Sequence, residues 1–292
     1  MHSFTIKDLE NLSGIKAHTI RIWEQRYTFL KPSRTDTNIR FYSNDELKRL
    51  LNVALLNKYG FKISHIDKMN EEEIIEKILS LNQAQARQER IVNEMIQYMV
   101  DLDLENFELL LNGYIDSKGI ERTITQIIFP FMEKIGILWL TNHVNPAQEH
   151  LVTNIIRQKL IVGIETVLSS FKVNKTVLLF LPEGEYHELG LLFMQYLLKS
   201  RGVNTIYLGS SIPLKDVEYI AKMKKPDYLY CHLTTISRKF NFEKFLSQVT
   251  KIFNSIPLVI SGQVTNNYQK SIYTSVNFKR SYSEVIDFVS SL

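Results

Sequence analysis

The sequence of 292 residues is poor in cysteine and contains no long apolar stretch. Its one cysteine, Cys231, cannot form an internal disulfide, which excludes a small secreted scaffold held by disulfides. No apolar run approaches the roughly 20 residues needed to cross a bilayer, because even residues 177–181 are followed by Pro182 and Glu183. The first residues also lack the basic flank and apolar core of a secretion signal. We therefore expect a cytoplasmic protein that does not insert into a membrane.

Glycine and proline are also scarce, with 11 and 7 residues, so no long disordered tract is expected. The chain is too long for one ordinary domain, and we divide it into residues 1–75, 76–172 and 173–292. Residues 1–70 hold 12 lysines and arginines against 7 aspartates and glutamates. A basic excess at one end of a chain suits contact with phosphates, although a solvated lysine surface gives the same count.

Two short helices with a glycine turn are predicted near the start. Thr5 and Asp8 form a typical cap for a helix over residues 6–12, and residues 16–27 form a second amphipathic segment after Gly14. This pattern indicates a helix-turn-helix, whose second helix enters the major groove of DNA. The candidate contacts with bases and phosphates are His18, Thr19, Arg21 and Arg26. Taken alone, these side chains could equally form an ordinary polar face.

The segment that follows resembles the winged helix-turn-helix of MerR regulators. It has a loop that begins at a proline, a turn, a short strand and a capped helix, and the matching positions are Arg21, Trp23, Pro32, Arg34, Arg40, Tyr42 and Ser43-Asn44-Asp45-Glu46. Residues 23–27 are closer to the branch that regulates carotenoid and light responses than to the metal sensors. The resemblance implies dimers on near-palindromic double-stranded operators, and it adds Tyr27, Arg34, Arg40 and Tyr42 to the predicted DNA contacts. Asn38 stands where the wing commonly has glycine, and asparagine tolerates the left-handed backbone.

Residues 71–171 have helical spacing of apolar side chains almost throughout, which predicts a helical bundle. Within it, Trp139 is followed after nine residues by Glu149 and His150. By themselves a tryptophan in a bundle is ordinary core, and a glutamate and histidine on a helix are ordinary surface.

Residues 173–292 alternate strands with helices. Strands are predicted at 176–181, 204–208, 227–233 and 257–261, with a short one near Val276, and helices lie between them. This pattern predicts a doubly wound parallel sheet of five strands in flavodoxin-like (Rossmann-type) order, with its ligand site beyond the carboxyl ends of the strands. The predicted fold class is thus multidomain, α and α/β: a winged helix-turn-helix, a helical bundle and this sheet.

The loop after the first strand of this sheet carries Glu185, His187 and Gly190. An imidazole there could coordinate a metal while the carboxylate fixes its tautomer, but most isolated loop histidines have no such role. The order acid-x-His-x-x-Gly after a first strand resembles the cobalamin-binding domain of methionine synthase, corrinoid mutases and photoreceptor repressors. The resemblance implies that His187 ligates cobalt from below, that Glu185 supports the imidazole and that Gly190 allows close approach.

The pattern of Trp139, Glu149 and His150 resembles the cap of light-sensing cobalamin repressors of the CarH/LitR type, in which those side chains lie over the adenosyl group. The resemblance also assigns Thr234, Thr235 and Gly262 to the nucleotide tail of the cofactor. Two positions depart from the family. Gln263 stands in place of a second glycine and is expected to narrow the tail slot, and Leu140 stands where some relatives have a histidine that can trap photolysed cobalt.

We expect a repressor, not an enzyme, that binds adenosylcobalamin and assembles on its operator as dimers or tetramers in the dark. Light would break the cobalt–carbon bond and dissolve the assembly, because a ligand shifts an equilibrium only when it favours one state. One alternative is a repressor that no longer binds cobalamin and is controlled by a regulatory protein partner, which Gln263 and Leu140 favour. Another is a corrinoid-dependent methyltransferase or mutase component, for which the chain has no substrate barrel.

Overall fold

The computed structural model describes residues 4–140, 145–234, 240–268 and 273–292, without the side chains of 137–140 and 267. Its contacts divide the chain into two units, Met1–Ile155 and Ile156–Leu292. The predicted fold class is confirmed: a helix-turn-helix and a helical region are followed by a five-stranded parallel sheet with helices.

The first unit begins with the predicted winged helix-turn-helix. Its elements are α1 (Ile6–Ser13), α2 (Ala17–Arg26), β1 (Ser33–Arg34), β2 (Arg40–Phe41), α3 (Asn44–Lys58) and α4 (Ile63–Ile66). Thr5 and Asp8 form a capping box at the start of α1, and Gly14 ends that helix with a φ of 73°. Ser43 and Glu46 form a second capping box, so α3 begins where the sequence predicts. Asn38, at the tip between the antiparallel β1 and β2, has the predicted left-handed backbone with a φ of 65°.

The rest of the first unit is helical. It consists of α5 (Glu71–Leu79), α6 (Ala84–Asp101), α7 (Leu104–Lys118), α8 (Ile120–Thr123), a π-helical segment (Ile124–Ile128), α9 (Phe129–Leu140) and the start of α10 (Pro146–Thr166). Met95, Ile96, Phe107 and Phe131 are fully buried in it. Helix α3 packs on α6 and α1 packs on α9, so the predicted domain 1–75 shares one compact unit with residues 76–155 of the second predicted domain. No helix in the described part of the chain is long and apolar enough to cross a membrane.

The second unit is built on the predicted doubly wound sheet. After the end of α10 it contains β3 (Val173–Pro182), α11 (Leu189–Ser200), β4 (Val203–Ile212), α12 (Leu214–Lys224), β5 (Tyr228–His232), α13 (Phe242–Ile252), β6 (Leu258–Ser261), α14 (Val264–Asn267), β7 (Val276–Lys279) and α15 (Tyr282–Ser290). The strands are parallel in the order β4-β3-β5-β6-β7, which is the predicted flavodoxin-like order. Apolar strand residues such as Leu178, Phe180, Leu229 and Ile260 are fully buried. Because the strands are parallel, the carboxyl ends of β3, β5 and β6 lie at the same edge of the sheet.

Candidate functional site

Helix α2 presents a polar face to solvent, as expected of a DNA-reading helix. Ile20 and Trp23 are buried on its inner face, while His18, Arg21 and Arg26 are exposed and Thr19 and Tyr27 are partly buried. Trp23 packs edge-on against Phe29, and the Tyr27 ring is stacked on the same phenylalanine at 6.1 Å. The predicted contacts near the start of α2 are therefore accessible to a duplex.

The wing is a short hairpin whose predicted arginines have different environments. Arg34 is exposed and donates from its guanidinium to Oδ1 of Asn38 at 2.6 Å. Arg40, directly opposite Arg34 in the strand pair, is turned toward α2 and donates from Nε to Oε2 of Glu24 at 2.8 Å. Arg34 is accessible for a phosphate contact, whereas Arg40 holds the wing against the helix.

The structure corrects the prediction that Tyr42 contacts DNA. Tyr42 is fully buried and its hydroxyl donates to Oε1 of Glu24, the same carboxylate that accepts from Arg40. Burial raises the pKa of Tyr42, and the adjacent Glu24 carboxylate raises it further, so the hydroxyl remains a donor. Sequence reasoning missed Glu24. The signal that could have identified Glu24 is the presence of a carboxylate on a helix that is expected to face phosphates. Phosphates repel such a carboxylate unless a cationic side chain of the protein pairs with it.

The predicted pair at the carboxyl end of β3 is brought together. Glu185 is buried, and its Oε1 lies 2.6 Å from Nδ1 of His187 and accepts the backbone N–H of His187 at 2.8 Å. Burial opposes ionisation of Glu185, but the hydrogen bonds from His187 outweigh it, and the net result is a lowered pKa. The side chain of His187 is 59% exposed, and the contact with Glu185 orients its ring through Nδ1.

Backbone contacts fix this loop to the next strand. The amide of Ser211 in β4 donates to the carbonyl of Glu185 at 3.0 Å, and the amide of Gly184 donates to Oγ of Ser211 at 3.1 Å. Glu188 accepts from Arg157 at 2.6 Å and from the hydroxyl of Tyr207 at 2.7 Å. His187 therefore stands on a loop that hydrogen bonds hold in place.

The two predicted cofactor glycines are in tight contact with the protein's own atoms. A Cβ at Gly190 would lie 2.1 Å from Cδ2 of His232, and a Cβ at Gly262 would lie 2.3 Å from the carbonyl oxygen of Leu233. Gly262 has a φ of 98°, so its backbone also favours glycine. Gln263 is exposed, and the narrowing of the tail slot by its side chain stays a prediction.

A polar cluster that sequence reasoning missed lies beside Gly190. Nδ1 of His232 is 2.8 Å from Oγ of Ser261, and the hydroxyl of Tyr230 is 2.5 Å from the same oxygen. Burial lowers the pKa of His232 to about 4, although the nearby Glu185 carboxylate acts in the opposite direction. His232 is therefore neutral at pH 7. Its position at the last residue of β5, one strand away from His187, is the signal that could have identified it.

The remaining predicted cofactor residues are described in part. Thr234 follows β5 and is partly buried, whereas Thr235 and the side chains of Trp139 and Leu140 lie outside the described residues. In the first unit, Glu149 and His150 lie on α10, with Nδ1 of His150 3.6 Å from Oε2 of Glu149.

Two segments of the chain match models of known protein families. A model of the MerR helix-turn-helix regulatory proteins matches residues 4–73, and a model described as a B12 binding domain matches residues 91–162. The chain is thus similar to MerR regulators near its start and to a B12 binding domain within its helical region. It is homologous over most of its length to two transcriptional repressors of Myxococcus xanthus. CarA is 24% identical over 92% of this chain and 90% of its own length, and CarH is 24% identical over 91% of each.

A solved structure shares the fold that follows the MerR head. The monomethylamine corrinoid protein of Methanosarcina barkeri aligns over 70% of this chain and all of its own length, with a TM-score of 0.56 and 13% identity. At this identity the likeness concerns the fold alone.

Proposed function

We propose that this homologue of CarA and CarH is a transcriptional repressor that binds double-stranded operator DNA with its MerR head and senses a corrinoid of the cobalamin class. The observation that carries the proposal is the pair of Glu185 and His187 at the carboxyl edge of a flavodoxin-like sheet. The same chain has an exposed, basic recognition helix at its other end.

The donor set at the sheet fits a cobalt corrinoid. His187 offers one imidazole ligand, and Glu185 supports that imidazole. One protein ligand is too few to hold a bare metal ion. A metal bound here would therefore have to bring most of its ligands with it, as the cobalt of a corrinoid does. Glu185 would hold the ring by Nδ1, and Nε2 is the atom with which the ring would ligate. With an adenosyl group above the metal, the corrinoid would supply a cobalt–carbon bond that light can cleave. Trp139, Glu149 and His150 remain the proposed contacts with the adenosyl group.

Within the first unit, helix α9 connects the proposed adenosyl contact Trp139 with the DNA head. It carries Trp139 near its end and packs on α1 of the helix-turn-helix. Lys134 of the same helix donates to Oδ1 of Asn93 in α6 at 3.0 Å, and Lys58 of α3 pairs with Glu89 of α6 at 2.6 Å. A shift of α9 would therefore displace α1. This coupling supports our proposal that the ligand regulates DNA binding and self-association into dimers or tetramers.

One observation favours a second candidate, a repressor of the same kind controlled by a protein partner without a corrinoid. The space beside Gly190 is filled by His232, as the Cβ contact of 2.1 Å indicates. If the His232 ring excluded every corrinoid from this space, a protein that binds the exposed surface of the helical unit would have to control the repressor instead.

Size-exclusion chromatography and DNA binding on the same samples test the proposal. We expect adenosylcobalamin, or its analogue without a nucleotide tail, to change the elution volume and the operator affinity in the dark, and light to reverse both changes. His187→Ala should abolish the response, while His65→Ala, an exposed histidine at α4, should keep it. Ligand-independent elution and DNA binding would favour the second candidate.

A further inference from the structure

The cluster of His232, Ser261 and Tyr230 occupies the part of the sheet edge that the resemblance reserves for the nucleotide tail. Ser261 is buried. Its Oγ forms hydrogen bonds with Nδ1 of His232 at 2.8 Å and with the hydroxyl of Tyr230 at 2.5 Å. His232 and Ser261 end the neighbouring strands β5 and β6, and Tyr230 lies two residues before the end of β5. The cluster is thus part of the framework on which the ligand site stands.

The imidazole of His232 uses the space that the missing side chain of Gly190 leaves. A Cβ at position 190 would lie 2.1, 2.4 and 2.6 Å from three atoms of this ring, all well inside van der Waals contact. The absence of a side chain at Gly190 therefore serves packing of a protein ring and not the approach of a ligand. The backbone at Gly262 is closed in the same way by the carbonyl of Leu233.

Moving His232 out of this position has a cost. The ring would lose its hydrogen bond to Ser261, and a tail would have to offer Ser261 and Tyr230 equivalent partners. A neutral imidazole packed against a helix start has no charge that would draw it into solvent at pH 7. The filled state is therefore the stable one without a ligand.

We propose that His232 excludes a nucleotide tail and that the second unit selects corrinoids that lack one, the cobinamide class. This inference rests on the proposed function, because it assumes that His187 ligates a corrinoid. His187 stands on the other side of Gly190 in the sequence and its ring is exposed, so the corrin ring itself remains acceptable. Selection against the tail would come from His232 alone, not from the exposed Gln263.

Titration with two corrinoids tests the selection. Hydroxocobinamide and hydroxocobalamin are added to the full chain, and the change in corrinoid absorbance gives each dissociation constant. We expect wild type to bind the cobinamide at least about tenfold more tightly, the scale of one lost buried hydrogen bond. His232→Ala should tighten cobalamin binding until the two constants are within about threefold, with little change for the cobinamide. His232→Ser, which keeps a hydroxyl beside Ser261, should behave alike.

Gln263→Gly is the matched control and should leave the ratio of the two constants as in wild type. Thermal unfolding by circular dichroism checks that each variant is folded. Equal affinity of wild type for both corrinoids, or a ratio unchanged by both His232 variants, would overturn the selection and leave the proposed function standing. Binding of neither corrinoid would overturn the proposed function, and this inference with it.

Discussion

Each unit has a buried carboxylate that holds a more exposed side chain in place, but the held side chains differ in function. In the MerR head, the buried carboxylate of Glu24 holds the partly exposed Arg40, and in the second unit the buried carboxylate of Glu185 holds the exposed His187. The two carboxylates are 7% and 9% exposed. In the head, the held cation is turned inward and the surface that meets DNA is formed by its neighbours on α2. In the second unit, the held ring is itself the proposed ligand.

This difference determines what each carboxylate controls. Removing the carboxylate of Glu24 should mainly lower the stability of the fold, because Arg40 and the buried Tyr42 hydroxyl both donate hydrogen bonds to it. Removing the carboxylate of Glu185 should mainly lower the affinity for a corrinoid. The His187 ring that Glu185 orients is largely exposed to solvent, so losing this contact costs the fold little.

The largest effect is expected for Glu24→Ala. Removing the carboxylate leaves the Tyr42 hydroxyl buried without its acceptor and Arg40 without its pair, at a cost of about 2–3 kcal/mol. Urea unfolding should show this loss, and operator affinity should fall with it. Glu76→Ala, at an exposed position of α5, should change stability by less than about 0.5 kcal/mol. Equal stability of the two variants would mean that Glu24 does not hold the wing.

Glu185→Gln should weaken corrinoid binding by about tenfold to a hundredfold, the usual effect of removing the group behind a metal-ligating histidine. The amide can no longer stabilise the ring as a carboxylate does, whereas the fold keeps its other contacts. Absorbance titration with hydroxocobinamide gives the affinity, and Glu183→Gln in the same loop is the control because Glu183 is exposed. A similar small effect of both variants would contradict the role of Glu185.

The stability of the second unit should depend on pH through His232. Its pKa is about 4 in the folded chain against an ordinary value of 6.5, so the unfolded chain binds more protons between these values. Stability should fall as the pH drops from 6.5 toward 4, by about 2–3 kcal/mol. Denaturant unfolding of wild type and His232→Gln across this range checks the assignment. The same pH dependence in both proteins would show that another group is responsible.

The smallest effect is expected in the wing. Arg34 is exposed and its replacement by alanine removes one phosphate contact, so the slope of log affinity against log salt should become shallower by about 0.9. The fold should be unaffected. Lys224→Ala, on an exposed position of the sheet unit, should leave the slope unchanged. A slope that Arg34→Ala does not alter would remove the wing from the DNA interface.

The sequence predicted the elements well where local chemistry decides them. Helix α3 begins after its Ser43 capping box, helices α11 and α12 lie between strands as predicted, and Asn38 adopts the predicted backbone. The strand order followed from the alternation of strands and helices. The spacing of Glu185 and His187 was enough to predict their contact, because only one residue separates them.

Contacts between distant parts of the chain were not predictable in this way. Tyr42 had the right spacing for a DNA contact, but its burial depends on where Glu24 stands 18 residues away. His232 was missed because its role depends on a helix start more than 40 residues earlier, which only the folded sheet brings beside it. Trp139 and Thr235 lie outside what the structure describes at side-chain level, so their roles remain predictions.

The central claim is that His187 is the protein ligand of a bound corrinoid. Hydroxocobinamide, which brings no base of its own, isolates this interaction when its absorbance is followed during titration with wild type and His187→Ala. The account predicts saturable binding with the spectrum of a histidine-ligated corrinoid for wild type. For the variant it predicts affinity reduced on the order of a hundredfold and no such spectrum. Identical affinity and spectra for both proteins would contradict it.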